Sequence, residues 1–100
     1  MARQTVLRRE TAEIVKTPEM YIVVMHNDDY TTIDFVVEVL MKIFHKSSAE
    51  ASAIMMEVHT RGEGIAGMYT YDLAVTKKAQ AERLAGERNF PLRLSVYAAG

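Results

Sequence analysis

Two periodicities alternate along the chain, and their changes mark out its elements. Tyr21-Ile22-Val23-Val24-Met25 is β-branched and aromatic, apolar on both alternating faces. That pattern fits a central strand covered on two sides, or covered on one side and partly on the other. From Ile33 the spacing becomes three and four: Ile33, Val36, Val37, Leu40, Met41 and Phe44 recur, with Asp34, Glu38 and Lys42 opposite. This predicts a surface helix with one buried stripe. Between these runs, His26-Asn27-Asp28-Asp29-Tyr30-Thr31-Thr32 is made of turn and cap residues. Thr31 is expected as N-cap, with Asp34 as its capping-box partner.

Ser47-Ser48-Ala49-Glu50 is a second capping box. It opens a helix whose stripe is Ala51, Ile54, Met55 and Val58 and whose stop is Gly62. The short connection implies a helix hairpin packed on one sheet face. Gly64 to Thr70 reads as a short strand. Thr70 is expected to cap a third helix, with Asp72 near its positive end. That helix runs through Leu73, Ala74, Ala81, Leu84 and Ala85 until Asn89 and Pro91 end it. Leu92 to Tyr97 alternates as a last, half-buried strand. The order strand, helix, helix, strand, helix, strand predicts an α+β fold (β-α-α-β-α-β), a three-stranded antiparallel sheet with three helices covering one face. Residues 1–17 mix charged and small apolar residues and are read as a flexible N-terminal extension, leaving 18–100 as the folded domain.

Composition narrows the function more than the fold. At 100 residues the chain fits one domain, and so small a domain favours a shallow groove over a large enclosed active site. The profile of 49% hydrophobic and 25% charged residues is that of a soluble globular fold. A net charge of −1 gives no basis for nucleic-acid binding through phosphate neutralisation. No apolar run approaches the ~20 residues that span a bilayer, so no membrane association is expected. Cysteine is absent, which removes disulfides, thiolate zinc sites and cysteine nucleophiles and fits a reducing compartment. The seven methionines are mostly core filling, although methionine also lines adaptable binding surfaces.

The candidate chemistry lies in the turn. A helix cap accounts for Thr31 and Asp34, but it does not require an amide and two carboxylates at Asn27, Asp28 and Asp29. His26, His45 and His59 lack the local spacing of metal ligands, and neither a metal nor a cofactor is expected. His59 sits at the edge of the second helix's stripe. It is either partly buried and satisfied by backbone, or turned into a groove beside Asn27-Asp28-Asp29. No serine stands in a nucleophile setting, and Gly62, Gly64 and Gly67 lack the lysine and hydroxyl of a phosphate loop. A binding protein is therefore favoured over an enzyme.

Several separated pieces together resemble the ClpS adaptors of the bacterial N-degron pathway. They are Asn27-Asp28-Asp29-Tyr30-Thr31, Phe35-Val36, Ile54-Met55, Val58-His59, Gly62, Gly67, Tyr69-Thr70, Lys77 and Pro91-Leu92. The resemblance runs from about Tyr21 to Val96. It implies a non-enzymatic cytoplasmic adaptor, monomeric, that recognises proteins whose first residue is Leu, Phe, Tyr or Trp. It also implies delivery to a ClpA-type AAA+ unfoldase for degradation by ClpP, a step in which the N-terminal extension is needed. Asn27, Asp28 and His59 would contact the substrate's α-ammonium or first peptide unit, with Asp29 beside them. Thr31, Ile33, Val36, Met55, Val58 and Leu92 would form the first side chain's pocket, and Asp72 and Lys77 the unfoldase interface. Ile33 stands where many relatives carry a methionine, Thr32 where proline is frequent and Val75 where an acid is common. Two other readings stay open. One is a generic interaction domain resembling the C-terminal domain of the ribosomal stalk protein. The other is a small hydrolase built on His59 and the aspartates.

Overall fold

The computed structural model describes residues 17–100, so nearly all of the expected N-terminal extension lies outside the described residues. Six elements follow in the expected order: β1 (Met20–His26), α1 (Ile33–Lys42), α2 (Ser48–Arg61), β2 (Glu63–Thr70), α3 (Tyr71–Glu87) and β3 (Arg93–Ala98). The sheet order is β2-β1-β3 with both pairings antiparallel. β1 is thus the central strand that its continuous apolar run implied, and Val23, Val24 and Met25 are all buried. Val23 and Met25 face the main core, together with Leu94 of β3 and Ala66 of β2. On the opposite face Ile65, Met68 and Tyr97 remain about half exposed. Among the described residues no helix is long and apolar enough to cross a membrane.

The first helix starts at Ile33 as its periodicity suggested, but its cap lies one residue later than expected. Thr32, not Thr31, is the N-cap, and its hydroxyl accepts from the Phe35 amide at 3.2 Å. The Thr31 hydroxyl is instead drawn to Asp28, so no Thr31–Asp34 capping box forms. The buried stripe is also rotated. Phe35, Val36, Val39 and Leu40 are inside, whereas Ile33 and Met41 are 49% and 40% exposed. Phe35 turns inward because Phe90, beyond the end of α3, meets its ring at a centroid distance of 5.0 Å.

The second helix follows its sequence signals closely. Ser47 and Glu50 form the reciprocal capping box, and Gly62 ends the helix in the left-handed region at φ 89°. In the third helix Ala74, Ala81 and Ala85 pack inward, but Leu73 is half exposed and so is not part of the buried stripe. Alanine is the smallest side chain that still presents a methyl, so this face lets α3 lie close against the sheet. Thr70 occupies the cap position of α3 without a side-chain bond, and Asp72 supplies the favourable first-turn charge.

Candidate functional site

Asn27 is the first residue beyond β1, and its amide donates to the Gly62 carbonyl at 2.9 Å. Gly62 is in turn the C-cap of α2, donating to the Val58 carbonyl at 3.0 Å. One backbone link therefore fixes the turn against the end of the helix that carries His59. Gly64 lets β2 run directly beneath that helix, since a Cβ there would stand 3.0 Å from the Val58 side chain. Met55, Val58 and His59 recur at helical spacing on one side of α2, and Ile33 and Val36 do the same on α1. These two faces and the turn enclose a cavity of about 260 Å³, lined by Asn27, Asp28, Asp29, Thr31, Ile33, Val36, Met55, Val58 and His59.

Every predicted amine-site residue is in that lining, as are five of the six predicted pocket residues. Leu92 is the exception. It is 4% exposed and belongs to the main core, not to the cavity wall. The last strand starts one residue after it. No cavity residue was missed at the sequence level.

The two carboxylates differ in environment. Asp28 accepts from the Tyr30 amide at 2.8 Å and the Thr31 amide at 2.7 Å through Oδ1, and from the Thr31 hydroxyl at 2.6 Å through Oδ2. Partial burial pushes its pKa upward, but the bonds from the Thr31 hydroxyl, the Thr31 amide and the Tyr30 amide outweigh this. The net result is a carboxyl held below its ordinary value. Asp29 is exposed and has no hydrogen-bond partner among the described residues. His59 is exposed as well, which settles its earlier ambiguity in favour of the cavity. The three ion pairs among the described residues join Glu38 to Lys42 and Arg88, and Glu82 to Lys78. Among the described residues, therefore, no cation pairs with either aspartate.

The cavity thus has an apolar wall from Val36, Met55 and Val58, with half-exposed Ile33 at its rim, and acceptors and negative charge beside it. It lies below the roughly 300–1,000 Å³ typical of sites for drug-sized ligands. Such a shape suits one bulky apolar group bearing a cation. The unfoldase-interface candidates lie on α3. Asp72 is exposed. Lys77 is partly buried, donating to the Ile43 carbonyl at 2.8 Å, with its ammonium 5.2 Å from the Tyr69 ring centroid.

Known proteins share both the sequence and the fold. The family described as ATP-dependent Clp protease adaptor protein ClpS matches residues 16–95. The ATP-dependent Clp protease adapter protein ClpS of Acetivibrio thermocellus is 51% identical over 92 residues, covering 92% of this chain and 93% of that protein. Its counterpart in Syntrophus aciditrophicus is 51% identical over 90 residues, covering 90% and 84% respectively. The solved structure of ClpS2 from Agrobacterium tumefaciens, bound to L-phenylalaninamide, superposes with a TM-score of 0.78 at 34% identity. It covers 82% of this chain and 99% of that one. With four-fifths of its length matched by the family and half its residues shared with such relatives, this chain belongs to the ClpS family, adaptors of the Clp protease and not enzymes.

Proposed function

We propose that this adaptor captures proteins by a free α-amino group and a bulky hydrophobic first side chain (Leu, Phe, Tyr or Trp) at the 260 Å³ cavity. It then delivers them to a ClpA-type unfoldase for degradation by ClpP. The observation that carries the reading is one cavity in which acceptor groups and carboxylates stand beside an apolar wall. A free α-amine has a pKa of roughly 7.7–8.0, so at neutral pH it is mostly an ammonium with three donors. Asn27, the aspartates and a neutral His59 nitrogen supply the matching acceptors, and each charge-assisted bond contributes roughly 1.5–3 kcal/mol. Burying one large side chain against Val36, Met55 and Val58 contributes roughly 1.5–3 kcal/mol more. Neither part binds tightly alone, so both are required.

L-Phenylalaninamide, the ligand of the related ClpS2 structure, carries a free α-amine and one benzyl side chain. Its chemistry supports the same reading. The adaptor acts as a monomer in the bacterial cytoplasm, with Asp72 and Lys77 on the side that meets the unfoldase.

Fluorescence anisotropy tests the proposal. A panel of peptides differing only in the first residue is measured with free and with acetylated amines. Leu- and Phe-initiated peptides are expected to bind, and acetylation to abolish binding. Equal affinity for the acetylated forms would show that the site does not recognise an ammonium. Because Ile33 is half exposed at the mouth and branched at Cβ, its stiffness sets the ranking within the panel.

A further inference from the structure

A second cavity, of about 610 Å³, opens where β3 faces α3, and it has the opposite chemistry. Its walls are His26, Lys78, Glu82, Arg93, Leu94 and Ser95. Nothing in the sequence announces it, because these residues come from three distant segments. The antiparallel register assembles them by pairing His26 with Arg93 and Val24 with Ser95. His26 Nε2 lies 2.7 Å from Ser95 Oγ, which ties the end of β1 to β3.

The hydrogen-bonding groups of this cavity do not balance. Glu82 supplies its only carboxylate, and both oxygens are engaged. Oε1 accepts from Lys78 Nζ at 2.9 Å, and Oε2 from the Leu94 amide at 3.0 Å. In the His26–Ser95 pair one group donates to the other, and the remaining imidazole nitrogen and the hydroxyl stay available. Lys78 keeps two N–H groups, and Arg93 has no ion-pair partner among the described residues. With His26 neutral, Lys78 and Arg93 against Glu82 leave the lining at about one positive charge, and a protonated His26 adds another. Glu63 lies across β1 from Arg93, on the far side of His26, and does not line the cavity. Donors and positive charge are in excess, so a ligand must bring acceptors and negative charge.

We propose that this cavity binds a phosphoryl group, either as a free phosphate ion or on a phosphorylated side chain. A phosphoryl group carries about −1.5 to −2 charges and three acceptor oxygens. Three groups of the lining can donate to it: the Arg93 guanidinium, the Lys78 ammonium paired with Glu82, and the His26–Ser95 pair. Arginine's planar donors suit paired phosphate oxygens, and lysine adds a point charge. A carboxylate carries a single charge and holds its acceptor sites near one plane, so it matches the excess of donors and charge less well.

The test is an NMR titration of the ¹⁵N-labelled full chain. The ligands are inorganic phosphate, acetate at equal ionic strength, a phosphoserine peptide with an acetylated N-terminus, and its unphosphorylated parent. Phosphate is expected to give saturable shifts confined to His26, Lys78 and Arg93 to Ser95, and acetate to give none. Arg93→Gln changes an exposed side chain and is expected to weaken phosphate binding about tenfold or more while its other resonances superpose. Tighter binding of the phosphopeptide assigns the group to a phosphorylated partner. A response to phosphate alone assigns it to the free ion, and both outcomes uphold the site. Shifts that fail to saturate, equal shifts with acetate, or undiminished binding in Arg93→Gln would overturn it.

Discussion

Asp28 accepts three hydrogen bonds from the two residues that begin two positions beyond it, so its carboxylate acts first as the frame of the turn. Asp29, exposed beside it, is left to present charge at the cavity mouth. Asp28→Ala is therefore expected to weaken binding of a Leu-initiated peptide by about 1–3 kcal/mol, chiefly by loosening the turn. Asp28→Asn retains an acceptor for both amides while removing the charge, and anisotropy should show part of the affinity restored. An Asn variant as poor as the Ala variant would assign Asp28 to the ammonium directly. The pH dependence follows from the lowered carboxyl pKa. A depressed folded pKa contributes stability that is fully present above the unfolded value and lost as pH falls through the folded one. Asp28 thus keeps the turn intact down to ordinary carboxylate pKa values, and the turn's amides should lose hydrogen-exchange protection only in stronger acid. At this scale the sequence was informative about which residues meet, because Asn27-Asp28-Asp29 exceeded what a cap needs. It could not divide roles between adjacent residues of one type. Asp28 and Asp29, like Thr31 and Thr32, differ in which neighbouring amides they reach, and the path of the backbone through the turn decides that.

Elements whose boundaries are set by local chemistry were legible, and those set by packing were not. The Ser47–Glu50 box and the Gly62 stop depend on residues within one turn of each other, so α2 was readable from end to end. The buried side of α1 depends on contacts with α2 and Phe90, which no local period encodes. Two glycines show how element geometry reaches the site. Gly62 adopts φ 89° in open space, so Gly62→Ala suffers only the backbone penalty, about 1–2 kcal/mol. Gly67 is different, because a Cβ there would lie 2.6 Å from the Tyr69 ring and force it aside. Tyr69 packs against Phe44 and lies under the Lys77 ammonium. Gly67→Ala is accordingly expected to destabilise the fold by about 1–3 kcal/mol, as overpacking does. Urea denaturation checks both. Peptide affinity of the folded Gly62→Ala variant should also fall, because the Gly62 carbonyl holds the Asn27 amide, whereas Gly67→Ala should spare it.

Across the whole molecule, Lys77 ties α3 to the end of α1. Its ammonium reaches from α3 to the Ile43 carbonyl, which belongs to the C-cap of α1, where a cation complements the helix dipole. Sequence resemblance grouped Lys77 with Asp72 as unfoldase contacts, but the two residues are held differently. Asp72 is exposed in the first turn of α3, while Lys77 is partly buried against Tyr69. Lys77→Met keeps most of the apolar stem and removes the ammonium, so it should lower unfolding stability by about 1–3 kcal/mol through the unsatisfied carbonyl. Asp72→Asn should leave the urea midpoint nearly unchanged, since an exposed first-turn charge contributes only about 0.3–1 kcal/mol. Calorimetric titration against a ClpA-type N-terminal domain, run beside urea unfolding, separates the roles. The expected pattern is reduced unfoldase binding with intact stability for Asp72→Asn, and reduced stability for Lys77→Met. A Lys77→Met variant that loses unfoldase binding at an unchanged urea midpoint would place its ammonium in the interface and remove it from the internal brace.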